Sequence, residues 1–185
     1  LAQMGLAEER FTTALGWMNR VSQPPPEMNP GPWWLTRARL RIQLGDFEGG
    51  TADVERILDH PDWLAEDAFR DRLLQVLFDL QEADRDATAL RLFRGIYQAI
   101  EAAGARRELL FWMAESREAL GQHRQAATLY LRSAAHPAGT LGDPWSRTAR
   151  FRAAKALAET PYTADAKRLF RRLLGTGSSQ QDLAI

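Results

Sequence analysis

The chain has 185 residues, enough for one ordinary domain or a short repeat array, and 45% of them are apolar, so a substantial core can be buried. It has no Cys, which excludes disulfides, thiolate catalysis and Cys-based zinc sites, and no apolar run long enough to span a bilayer. Formal net charge is zero but uneven: residues 143–174 carry about +5 and residues 1–142 about −4. Lys155 and Lys167 are the only lysines, all other basic residues being Arg. That bias reads as the genome composition of a GC-rich bacterium, leaving cytoplasm and periplasm both open. No charged n-region followed by an apolar h-region opens the chain.

A small residue followed four positions later by a large apolar one recurs along the chain. The copies are Ala7 and Phe11, Gly50 and Val54 (a degenerate one), Ala89 and Phe93, Ala126 and Tyr130, and Ala166 and Phe170. Successive small positions are 43, 39, 37 and 40 residues apart, a period suited to stacked helical hairpins. The first copy predicts a helix within residues 1–21, a half repeat holding helix B alone. Its missing partner implies that the chain is the C-terminal portion of a longer array. Residues 22–32 hold Pro24, Pro25, Pro26, Pro30 and Pro32 and predict an extended, stiff connector.

The first full repeat, 33–61, reads as helix Trp33–Leu44, a turn at Gly45, a second helix from Phe47 to Leu58, and a stop at His60-Pro61. The second, 63–104, reads as Trp63–Leu80, a turn at Asp84, then Asp86–Ala103 with Gly104 as the stop. The third, 107–137, reads as Leu109–Leu120, Gly121, Arg124–Ala135 and His136-Pro137. Both His-Pro pairs place Pro 16 residues after the turn Gly, a matched spacing that neither Pro would give alone. A mobile loop is predicted at Ala138–Pro144. The fourth repeat, 144–175, reads as Pro144–Glu159, a break at Thr160-Pro161, and Thr163–Leu174 ended by Gly175, with Ala166 and Phe170 facing inward. A disordered tail is expected over 176–185.

Catalytic spacings are missing from this pattern. His60, His123 and His136 lie far apart, and the sequence holds no His-Glu-x-x-His, no phosphate-cradling Gly-x-x-x-x-Gly-Lys-Ser/Thr and no Gly-x-Ser-x-Gly elbow. Glu115 and Glu118 share a helix face, which reads as a solvated face and not as an acid/base pair. The expectation is therefore no catalysis, no cofactor and no metal. A basic strip at 147–155 and 167–172 admits nucleic acid, but the neutral balance argues against it.

The phased residues resemble the tetratricopeptide repeat (TPR) family, a helix–turn–helix unit with small residues in helix A, Gly at the turn, Ala-x3-Phe in helix B and a closing Pro. Residues 107–137 carry Ala114, Gly121, Ala126, Tyr130 and Pro137. Residues 31–61 carry Trp34, Ala38, Gly45, Phe47 and Pro61, with departures at Gly50 and at Arg37 and Arg41, where the family packs apolar groups. The resemblance implies an all-α fold, a right-handed α-α superhelix (solenoid) forming one domain, and a role in binding a protein or peptide on the concave helix-A face. Aligning Gly45, Asp84, Gly121 and Pro161 puts Leu35, Leu74, Phe111 and Phe151 at equivalent helix-A positions, with Arg39, Phe78, Glu115 and Lys155 one turn later. With Trp112 and Arg152 these make the candidate protein-binding groove, the alternative being that the apolar row packs between helices. Thr36, Leu35, Gln75, Phe78 and Glu115 occupy the places of the family's Lys/Asn/Arg carboxylate clamp, so no such clamp is expected. Two other readings stay open: an accessory domain of a larger regulatory or envelope-assembly protein whose activity lies in an upstream module, and a self-association domain. Trp33, Trp63 and Trp145 are expected to wedge between hairpins.

Overall fold

Three turns set the hairpins. Gly45, Asp84 and Gly121 have φ of 82°, 57° and 69°, the left-handed conformation that ends a helix and redirects the chain. Gly adopts it freely, and Asp is one of the few other residues to tolerate it. In a computed structural model the chain is described over residues 2–21, 23–139 and 143–181, with the backbone alone for 2–9 and 176–181. Ser22, the loop residues 140–142, the tail residues 182–185 and the side chain of Ala7 lie outside the described residues. Among the described residues there are nine α-helices, one 3-10 turn and no strand. The fold class is the all-α helical repeat. The chain divides into two compact units, Leu1–Ile100 and Glu101–Ile185.

The first unit holds α1 (Ala2–Asn19), α2 (Pro30–Gln43), α3 (Phe47–Leu58), a 3-10 turn (Pro61–Ala65), α4 (Asp67–Glu82) and α5 (Asp86–Ala99). Helix α2 packs on α1, α3 and α4, and α5 on α3 and α4. Val54, Ile57, Leu73, Leu77, Leu80, Phe93 and Ile96 are fully buried. The small-then-large pattern is a packing device here. A Cβ on Gly50 would stand 2.6 Å from Ile42 and 3.0 Å from the Ala38 carbonyl, so a side chain there would push α3 off α2. Asp46 caps α3 by accepting the Gly49 N–H at 2.9 Å.

Arg37 and Arg41 stand at positions that usually hold apolar groups because α3 supplies their counter-charge. Arg37 makes a bidentate pair with Asp53 at 2.8 and 2.6 Å, and Arg41 Nη1 reaches the same carboxylate at 3.0 Å. The Arg37 and Asp53 side chains are 7% and 1% exposed. The Arg37 guanidinium also lies 4.5 Å from the ring centres of both Trp33 and Trp34.

The second unit holds α6 (Ala103–Ala119), α7 (His123–Ala134), α8 (Pro144–Ala158) and α9 (Thr163–Gln181), each packed on the next. Phe111, Ala114, Ala126, Ala127, Tyr130, Ala149, Ala153 and Ala156 form its core. A polar hub ties three helices together. Arg107 on α6 donates to both carboxylate oxygens of Asp143 at 2.7 and 2.9 Å and to Ser146 Oγ at 2.8 Å. Asp143 caps α8 by accepting the Ser146 N–H at 2.8 Å, and Ser146 Oγ donates to the Ala134 carbonyl on α7 at 2.9 Å. Trp145 Nε1 donates to Ser133 Oγ at 3.1 Å, placing that Trp between the α6/α7 hairpin and α8.

Several predicted boundaries are corrected. Helix α2 begins at Pro30, inside the predicted connector, because Pro suits the first helical turn and Asn29 accepts the Gly31 N–H at 3.1 Å. Trp63 is not the start of a helix: it sits in the 3-10 turn, stacked 4.3 Å from His60, and α4 starts at Asp67. Gly104 does not stop α5, which ends where Ile100 turns extended; it lies in the first turn of α6. Gly175 does not stop α9, whose backbone continues to Gln181, so residues 176–181 of the expected disordered tail are helical.

Three outcomes follow from these contacts. Asp53→Ala leaves Arg37 and Arg41 without their shared counter-charge and costs about 3–5 kcal/mol in urea unfolding, whereas Arg37→Met and Arg41→Met combined with Asp53→Leu recover most of that loss. Asp84→Gly relieves the left-handed backbone and stabilises by about 1 kcal/mol in the same measurement. The Arg107 guanidinium and the Ser146 N–H hold the Asp143 carboxyl down from 3.8 to about 2. A depressed carboxyl stabilises the fold above its unfolded value and loses that contribution as pH falls through its folded one. Thermal unfolding of Asp143→Asn therefore shows a lower midpoint than the wild type at neutral pH, and the gap closes between about pH 4 and about pH 2.

Candidate functional site

Helix spacing brings one face of α2 and one of α4 to a common cleft in the first unit. Residues 36, 40 and 43 of α2 recur at four- and three-residue steps, and Arg72 and Val76 of α4 are one turn apart. With Leu35, Arg39 and Phe11 of α1 they line a cleft of about 440 Å³. Its wall combines apolar Phe11, Leu35, Leu40 and Val76 with two guanidiniums and no carboxylate. Arg39 forms the outer edge of this wall: its side chain is 59% exposed, with Nε 3.6 Å from Asp79 Oδ2. Leu35 is buried and offers the cleft floor only.

Leu74 and Phe78 do not reach this cleft. Leu74 is buried, and Phe78 is half-buried against Phe93 at 6.1 Å, in the packing of α4 on α5. Leu40, Gln43, Arg72 and Val76 were not singled out by the repeat register, because alignment on the turns picks one position per helix. Their three- and four-residue spacing was the readable signal. A larger hollow of about 690 Å³ beside α3 and α5 is open, and its cations are already engaged, Arg91 with Glu55 and Arg85 over the Phe47 ring at 4.6 Å.

In the second unit the predicted positions divide by depth. Phe111 is core, 6% exposed, with Trp112, Tyr130 and Trp145 ring centres at 5.3, 5.1 and 5.0 Å. Trp112 is half-buried beside it. The equivalent Phe151 on α8 is 53% exposed, its ring centre 5.8 Å from that of Phe170 on α9. Lys155 is exposed.

Glu115 and Arg152 do meet, across α6 and α8, at 3.1 Å. Burial pushes the Glu115 carboxyl up, Arg152 opposes this, and the neighbouring Glu118 adds to it. The Tyr130 hydroxyl donates to Glu118 Oε2 at 2.9 Å, and its burial among these acids raises it above the usual phenol value. The cluster is a salt-bridged seam between hairpins with a polar rim. Leu35, Leu74 and Phe111, the buried members of the predicted apolar row, pack between helices, and of the three Leu35 also contributes to the cleft floor. Among the described residues no group of His, Asp and Glu side chains is placed to hold a metal ion, and no helix is long and apolar enough to cross a membrane.

No family model and no curated protein matches the sequence. Solved structures do. A crystal structure of putative kinesin light chain nearly identical TPR-like repeats from Podosopora anserina matches 97% of this chain and 90% of its own, with a TM-score of 0.63 and 14% identity. A single-substitution variant of the same repeats matches 98% of this chain and 90% of its own, with a TM-score of 0.62 and 14% identity. At that identity the likeness is one of fold: the chain has a TPR-like helical-repeat fold.

Proposed function

We propose that the chain is a protein-interaction scaffold that holds a peptide or protein on helix-A side chains and performs no chemistry of its own. The observation that carries this reading is the cleft of the first unit, about 440 Å³, lined by one face of α2 and α4. Its apolar floor can bury side chains of an extended segment or helix, and Arg39 and Arg72 can meet carboxylates at the rim. In the second unit Trp112, Glu115, Phe151, Arg152 and Lys155 remain as contact candidates, because each keeps some exposure. The TPR-like architecture suits this use: stacked hairpins present rows of helix-A side chains, and the resembled family binds proteins there.

Filling the cleft tests the reading. Thr36 is exposed on its wall. Thr36→Trp blocks the space, and Arg39→Ala removes the rim cation. In affinity capture from the source cells, quantified by mass spectrometry, the wild type retains a partner that Thr36→Trp loses and Arg39→Ala retains less. Both variants unfold within about 0.5 kcal/mol of the wild type. Equal retention by all three proteins rejects the cleft.

A further inference from the structure

The last two hairpins supply an internal comparison. Forty residues separate Ala126 from Ala166, and the same step maps α6 onto α8. It is the right register, because Leu109, Met113, Ala114 and Ser116 are buried and so are Ala149, Ala153, Ala154 and Ala156. Under this step Phe111 becomes Phe151, Glu115 becomes Lys155, Tyr130 becomes Phe170 and Ala134 becomes Leu174.

In the α6/α7 hairpin those positions are covered by α8. Trp145 lies on Phe111, Ser146 bonds the Ala134 carbonyl, and Arg152 pairs with Glu115. Phe111, Tyr130 and Ala134 are accordingly 6%, 0% and 4% exposed. In the α8/α9 hairpin Phe151 and Leu174 are 53% and 77% exposed, and Phe170 is half-buried. At the position one turn after the apolar one, Arg39 pairs with Asp79 and Glu115 with Arg152, each partner lying on the next helix A, while the copy on α4 is the uncharged Phe78. The last copy, Lys155, is exposed and has no ion pair among the described residues. Arg147 and Lys155 flank Phe151 on one face of α8, and Lys167 and Arg171 flank Phe170 and Leu174 on α9, all four exposed.

We propose that this face receives an acidic amphipathic helix from a partner protein, seated on α8 and α9 as α8 is seated on α6 and α7. The proposal rests on the protein-binding reading and names the partner's chemistry at a second surface. The internal interface sets the recognition pattern. Trp145 and Arg152 are seven residues apart, so the partner presents a large apolar side chain to Phe151 and, two turns later, a carboxylate to Lys155. Further carboxylates oppose Arg147, Lys167 and Arg171. The contact needs no free C-terminus.

The probe is a synthetic amidated helical peptide of about 20 residues, net acidic, with Trp followed seven positions later by Glu. Isothermal calorimetry with the whole chain is expected to give a Kd of roughly 10 µM. Phe151→Ala weakens it about tenfold, and Lys155→Glu weakens it as much. A peptide with Lys in place of that Glu binds Lys155→Glu better than the wild type. Thr36→Trp binds the acidic peptide as the wild type does, so failure of the cleft and failure of this face are separable. The proposal is overturned by absence of binding, by equal binding to Phe151→Ala, or by loss of the charge swap. Equal affinity for a scrambled acidic peptide or for DNA, or a dimer in light scattering that Phe151→Ala dissolves, overturns it too.

Discussion

A helical hairpin cannot cover both of its own faces. Each of its two helices has an apolar stripe wider than one neighbour can bury, so the hairpin is complete only when another helix lies across it. Every feature of this chain answers to that constraint. Small residues at Gly50, Ala89, Ala126 and Ala166 bring helix B close to helix A, and large ones a turn later fill the space beyond. Trp145 caps the α6/α7 pair from the following helix, as its ring contacts with Phe111 and its bond to Ser133 show. Exposure in this fold is set by what comes next along the stack, more than by residue type.

Charge is used inside the stack as well as on it. Arg37 and Arg41 occupy an interior face only because Asp53 approaches from α3, and Arg107 does the same through Asp143 and Ser146. Taking such groups out of water costs several kcal/mol per ion, and the paired geometry offsets most of it. The net gain in stability is small. What these pairs give is position, since a guanidinium accepts a carboxylate only along its fork.

The hairpin plan was legible in the sequence because its determinants are local. Left-handed turns demand Gly or a residue like Asp, and Gly45, Asp84 and Gly121 are where that demand falls. Gly104 and Gly175 were misread for the converse reason: neither has a left-handed backbone, and a Cβ on either would meet open space, so nothing about the residue itself marks a stop. Arg37 looked out of place because its partner, Asp53, lies 16 residues away on another helix, beyond the reach of periodicity. Phe111 and Phe151 share residue type and register, one flanked by Leu110 and Trp112 and the other by Arg150 and Arg152, and one is core and the other surface. The difference is Trp145, a tertiary neighbour that no window on α6 or α8 marks as the cover of Phe111.

Repeats of similar sequence carry a hazard in folding: a helix A can close on the wrong helix B, or on the right one a turn out of step. The apolar contacts discriminate weakly here, since an Ala dent accepts any knob of similar size. The polar pairs do not. Arg37 and Asp53 identify α2 with α3, the Tyr130 hydroxyl on Glu118 identifies α7 with α6, and Arg107 with Asp143 identifies α6 with α8. Each is a different lock, and a slipped or exchanged hairpin would bury one half of a lock without the other. The buried arginines thus act as labels, telling otherwise interchangeable helices which neighbour is theirs.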